Sequence, residues 1–136
     1  MIEIIIPGKP FAKQRPRHRK NGHTYTPKDT IAATNAVSLE ASLEMCGDAP
    51  IDGPVFVAIE FIFSPPPSWS EKKKQAHYDT PHIQRPDLDN LEKLVLDGLN
   101  GVVFLDDCQV AELSSIKRWG KHPRTEIYIT HFGGDL

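Results

Sequence analysis

The sequence predicts an α+β fold: one two-layer domain over residues 1–136, a mixed β-sheet packed on two main helices. Three observations predict it. Val55–Phe63, VFVAIEFIF, alternates apolar side chains in a β-branched and aromatic run, the pattern of a half-buried strand. Leu88–Leu99 carries Leu88, Leu91, Val95 and Leu99 at helical spacing. Strand-like and helix-like segments interleave along the chain in the order β-α-β-α-β-β.

The elements follow in turn. Glu3–Ile6 reads as a first strand, closed by Pro7-Gly8. FAKQRPRHRKNGHTYTP follows as an irregular arm or loose hairpin, broken by Pro16 and Asn21-Gly22. About Asp29 to Cys46 reads as a helix, with Ala32, Ala36, Leu39, Leu43 and Cys46 at 4-3-4-3 spacing and Gly47 as its stop. Pro65-Pro66-Pro67 ends the strand that Val55 begins. Ser70 is placed to cap a short helix, SEKKKQAHYD. Asn100-Gly101 ends the helix from Leu88, and VVFL is expected to be a short strand or extended run. Val110–Lys117 and Glu126–Phe132 read as the last two strands, expected as neighbours across the Trp119–Pro123 connection.

Bulk properties narrow the class. A chain of 136 residues, 39% hydrophobic and 25% charged, has the make-up of a soluble globular domain. Cys46 and Cys108 form no CxxC motif and no disulfide framework, which points to a reducing cytoplasm. MIEIII runs directly into PGKP without a charged leader, so it reads as a strand. No apolar run approaches the roughly 20 residues a membrane helix needs.

The net charge of −2 argues against a nucleic-acid partner, but its distribution does not. Residues 9–28 contain no acid and hold Lys9, Lys13, Arg15, Arg17, Arg19, Lys20 and Lys28. Local patches of this kind bind phosphate. Smaller clusters, Lys72–Lys74 and Lys117, Arg118, Lys121 and Arg124, fit solvated loops as well.

The acids concentrate in RPDLDNLEKLVLDGLNGVVFLDD, Arg85–Asp107. Asp87 and Asp89 precede or open the helix, Lys93 shares a face with Asp89, and Asp106 and Asp107 follow VVFL. Four carboxylates in one place repel, and a divalent cation removes that cost. Such an ion supplies Lewis-acid chemistry to a phosphodiester, and a nearby lysine stabilises the developing charge. A helix of about 12 residues spans roughly 18 Å, and an extended VVFL could bring the second pair most of the way back. The same residues have a structural reading: Asp87 and Asp89 as helix caps, Asp89–Lys93–Asp97 as a salt-bridge ladder, and Asp106-Asp107 as a turn.

At this point the sequence resembles a known family. RPDLDNLEKLVLDGLNG followed by VVFLDDCQV is similar to the central signature of the RusA family of Holliday junction resolvases, common in phages and prophages. PGKPFAKQRPR resembles the start of its phage members. The resemblance implies a homodimeric endonuclease that cuts four-way DNA junctions by paired symmetric nicks in recombination and repair, using Mg²⁺ or its substitute Mn²⁺. It implies Asp87, Asp89, Asp106 and Asp107 as metal ligands. It also implies a catalytic role for Lys93, beside Asp87, Asp89 and Asp107. The spacing from helix to Asp106-Asp107 is about one residue shorter than in the best-known type of member, so the split of roles between those two stays open. With the basic arm, Lys9, Lys13, Arg15, Arg17, Arg19 and Lys20 become the expected DNA contacts, in the cytoplasm near the nucleoid.

Other readings are a broader flap or fork nuclease, a non-catalytic DNA-binding protein, and a small-molecule phosphohydrolase. The six histidines show no paired ligand spacing, and Trp69 and Trp119 read as packing residues.

Overall fold

The computed structural model describes residues 1–131. Its main sheet has four strands: β1 (Ile2–Pro7), β4 (Val55–Phe63), β5 (Val110–Trp119) and β6 (Arg124–His131). They lie in the order β1-β6-β4-β5. β4 pairs parallel with β5 and antiparallel with β6, so the sheet is mixed. The basic arm forms a small ladder of its own, β2 (Arg17–His18) with β3 (Thr24–Tyr25). Two long helices, α1 (Lys28–Met45) and α3 (Leu88–Leu99), and one short helix, α2 (Glu71–His77), complete the α+β fold.

The alternation of β4 does what the sequence predicts. Val55, Val57, Ile59, Phe61 and Phe63 are buried against the helix layer with Ile4, Ile127 and Ile129. Ile62, on the opposite face, is buried too. The most apolar strand therefore takes an interior position, and this corrects the expected pairing of the last two strands: β4 lies between β5 and β6. The polar sequence VAELSSIKRW suits an edge instead. The connection after β5 crosses the end of β4, where Gly120 N–H donates to Phe63 O at 2.9 Å. A Cβ on Gly120 would lie 2.5 Å from Ile62 Cγ2. Phe132, at the end of the expected last strand, falls outside the described residues.

VVFL is not a strand. Val102 and Val103 N–H both donate to Leu99 O, at 3.1 and 3.0 Å, and Gly101 N–H donates to Phe104 O at 2.8 Å. Gly101 takes the positive φ of +79° that this reversal requires. The tight turn drops Val103 and Phe104 into the core, where both are fully buried. Their burial outweighs strand propensity, and the chain does not run back along α3.

Helix α1 is present, but its 4-3-4-3 stripe faces outward. The buried positions are Thr30, Val37, Ala41 and Met45, whereas Leu39 and Leu43 are 60% and 62% exposed. Apolar residues occupy both sides of this helix, so spacing alone did not mark the core side. Cys46 ends it with φ of 50°, followed by Gly47. Helix α2 starts as expected: Ser70 Oγ accepts from Lys73 N–H at 3.2 Å.

The two long helices meet at Gly98. Ser38 Oγ donates to Gly98 O at 2.8 Å, and a Cβ at Gly98 would stand 2.5 Å from Val37 Cβ and 3.0 Å from Thr34 O. Gly98→Ala gains about 1 kcal/mol of helix propensity. The clash with backbone and Val37 outweighs it, and a net loss of about 1–3 kcal/mol is expected. Urea unfolding measures this; an unchanged or raised midpoint would show that the helices separate without cost.

Candidate active site and nucleic-acid interface

The site begins in the segment before α3. His82 N–H donates to Lys117 O on β5, and Lys117 Nζ reaches back to Gln84 O at 2.6 Å and Pro86 O at 2.7 Å. This ammonium fastens the Gln84–Pro86 segment to the sheet edge, so part of the second basic cluster is structural. Arg118 is also committed, to Glu60 at 3.2 Å, Asp79 at 2.9 Å and Glu126 at 3.7 Å. Arg124 pairs with Glu126 at 3.4 Å.

Asp87 occupies the N-cap position with extended φ and ψ of −70° and 142°, yet its side chain makes no capping hydrogen bond. The carboxylate is exposed at the positive end of α3. Asp89 is exposed as well; Oδ1 accepts from Asn90 N–H at 3.0 Å, and Oδ2 lies 4.0 Å from Lys93 Nζ. The expected ladder stops there. Asp97 instead pairs with Lys13 of the arm at 2.9 Å.

Asp106 and Asp107 lie at the other end of the helix. Asp106 caps a 3₁₀ turn, Asp107–Gln109, by accepting from Cys108 N–H at 3.3 Å. Its turn reading is therefore realised. The hydrogen bond between the two carboxyls holds Asp106 below the usual carboxylate range. The same contact pushes Asp107 up, with help from slight desolvation and the charges of Asp106 and Asp97. Asp107 therefore feels the charge of Asp97, which is about two turns from Asp89, or roughly 12 Å along the axis.

Gln109 locks this segment. Its Oε1 accepts from Leu105 and Asp106 N–H at 2.8 and 2.9 Å, and its Nε2 donates to Ile51 O and Gly53 O at 2.8 Å each. Sequence reasoning assigned no role to Gln109 or to the Lys117 clamp. Gln109 stood out only as part of the family signature, and Lys117 only as a member of a basic cluster.

The basic arm is tied to the acid-bearing helix. Lys13 N–H donates to Asn90 O at 2.9 Å, and Gln14 N–H donates to Thr30 Oγ1 at 3.2 Å. Lys9, Arg15, Arg17, Arg19 and Lys20 are exposed, and the Arg19 guanidinium sits 4.9 Å from the Tyr25 ring centroid. Between arm and helix opens a cavity of about 580 Å³ lined by Lys9, Phe11, Gln14, Arg85, Asp87 and Asn90, among others. Acid, cation and apolar surface meet in it.

Among the described residues no three His, Cys, Asp or Glu side chains gather closely enough to hold an ion between them. The donor chemistry nevertheless fits Mg²⁺, which is held by one or two carboxylates with water and substrate phosphate completing its shell. Asp87, uncommitted as a cap and open to the large cavity, is such a donor. Among the described residues no helix is long and apolar enough to cross a membrane.

Comparison with known proteins gives the geometry a family. The chain is 33% identical over 135 residues to a protein of Bacillus subtilis (strain 168) named "Uncharacterized protein YqaN", with 94% of each chain covered. The family profile described as Endodeoxyribonuclease RusA matches residues 7–130, which span the arm, both acid pairs and every strand except part of β1 and β6. The chain belongs to the RusA family of endodeoxyribonucleases.

Proposed function

We propose that this single-domain endodeoxyribonuclease resolves Holliday junctions by paired symmetric nicks, dependent on Mg²⁺, with Mn²⁺ as a substitute. The observation that carries the reading is the tether between Lys13 N–H and Asn90 O, which holds an acid-free basic arm beside α3, whose N-cap carboxylate, Asp87, makes no capping bond. Phosphate-binding charge and metal-binding charge then meet one DNA strand together.

Asp87, Asp89 and Asp107, with Asp106 beside it, form the acidic ligand set. When bound, the divalent cation supplies Lewis-acid activation of the attacking water and neutralises charge on the departing oxygen. Lys93, on the solvent side of α3 next to Asp89, stabilises the charge that develops on the scissile phosphate. Lys9, Lys13, Arg15, Arg17, Arg19 and Lys20 hold the junction arms through their phosphates. The enzyme acts on branched DNA in the cytoplasm of a bacterial host or phage-infected cell, at the nucleoid.

A nicking assay tests this. A synthetic four-way junction, end-labelled on each strand in turn, should show symmetric nicks in Mg²⁺. Asp87→Asn is expected to lower the rate at least about 100-fold with junction binding retained. Nicking that persists in excess EDTA, or at equal rate in the variant, would overturn the metal role of Asp87. Equal rates on flaps and forks would replace the junction reading with the broader one.

The active species is a homodimer, since two equivalent sites match two strands to be cut. The outward stripe Ala32, Ala36, Leu39, Leu43 and Cys46 supports α1 as its seam. Alternate spacing of four and three is the pattern by which one helix packs on another copy of itself. Leu39→Glu with Leu43→Glu should give a folded monomer in sedimentation at concentrations where the parent is dimeric. A dimer that survives both changes would place the interface elsewhere.

A further inference from the structure

A second pocket lies behind the first. It has a volume of about 350 Å³, and Lys9 and Arg85 line both. The two cations form a shared wall, with Asp87 on one side and His82 on the other. Both wall residues are exposed, whereas Phe63, Pro65, His82 and Trp119 within the second pocket are buried.

We propose that this second pocket takes one nucleobase of the bound DNA strand, next to the phosphate at Asp87, and that His82 reads the edge of that base. The inference rests on the nuclease reading and adds to it a determinant of sequence preference.

The chemistry of the lining favours a base over a bare anion. Phe63 and Trp119 form the buried floor of the pocket, and Pro66 and Pro67 present apolar surface at its rim, which suits the flat face of a ring. Positive charge stands at the wall, where the backbone phosphate of the same nucleotide would lie. The volume falls at the lower end of the range for small-ligand sites, about 300–1,000 Å³.

His82 is only 5% exposed, and its ring stacks 4.2 Å from Phe63 and 4.4 Å from Trp119 between ring centroids. Its Nδ1 is buried without a hydrogen-bond partner among the described residues. A buried polar atom left in this state asks for a partner that the folded chain does not supply. Burial, with the nearby charges of Lys117 and Lys9, pushes the His82 pKa down from 6.5. The imidazole is therefore neutral at pH 7, with one nitrogen to donate and one to accept. Base edges present that mixture of groups, whereas a phosphate calls for donors alone.

The test uses the full chain and free nucleotides, so it does not depend on cleavage. The His82 imidazole resonances are followed while the protein is titrated with each deoxynucleoside 5′-monophosphate and, separately, with inorganic phosphate. At least one nucleotide should shift His82 at concentrations where phosphate does not, with about tenfold between best and worst base. His82→Phe keeps a ring between Phe63 and Trp119 and should bring the four bases within about twofold. If this variant fails to fold, the wild-type titration alone decides. Equal shifts from inorganic phosphate would reduce the pocket to an anion site, and no shift from any nucleotide would make His82 a packing residue. Either result overturns the proposal while the nicking assay separately judges the nuclease.

Discussion

The backbone-to-side-chain contact between α1 and α3 at Gly98 sets the rest of the structure. Without a side chain there, α3 settles against Val37 deeply enough to bury Leu91, Leu94, Val95 and Leu99. The remaining face of the same helix is then forced outward, and it is the face that carries Asp89, Lys93 and Asp97. Packing and chemistry are divided between two sides of one twelve-residue element. Depth of seating also brings α3 within reach of β5, where Ser115 Oγ donates to Glu92 at 2.7 Å and Lys117 clamps the approach to Asp87.

Much of this was legible in the sequence, for physical reasons that differ by element. β4 and α3 have strong periodic patterns, so both elements were readable, although buried Leu94 and Gly98 on α3 and Ile62 on β4 lay outside the predicted stripes. α1 was readable as a helix but not in its orientation, because Leu39 and Leu43 carry as strong an apolar signal as Val37 and Met45. VVFL looked extended because Val and Phe favour strands, and only the tertiary burial of Val103 and Phe104 makes it a turn. Strand neighbours are set by long-range competition for the sheet centre, which local pattern does not encode. The acids and the arm were visible as residue types. Their attachment through Lys13, Gln109 and Lys117 depends on contacts between residues far apart in the chain.

Electrostatics sorts the basic residues into two populations. Lys117, Arg118 and Arg124 bond carbonyls and carboxylates within the fold, and their charge is largely spent there. The exposed cations of the arm, Lys9, Arg15, Arg17, Arg19 and Lys20, face water. A net charge of −2 therefore coexists with a strongly positive local surface. The acidic residues show the same division: Asp106 serves a turn, whereas Asp87 sits where a cap belongs and does not cap.

The arm has a further consequence through the way it is rooted. Gln14 is fixed to Thr30 at one end and Pro27 is buried at the other, so residues 15–26 form an exposed loop pinched at its base. Under the proposed function such a loop would act as a tethered ligand. For a strand resting against α3, the local concentration of arginine and lysine would then be set by the short reach of the loop and not by diffusion.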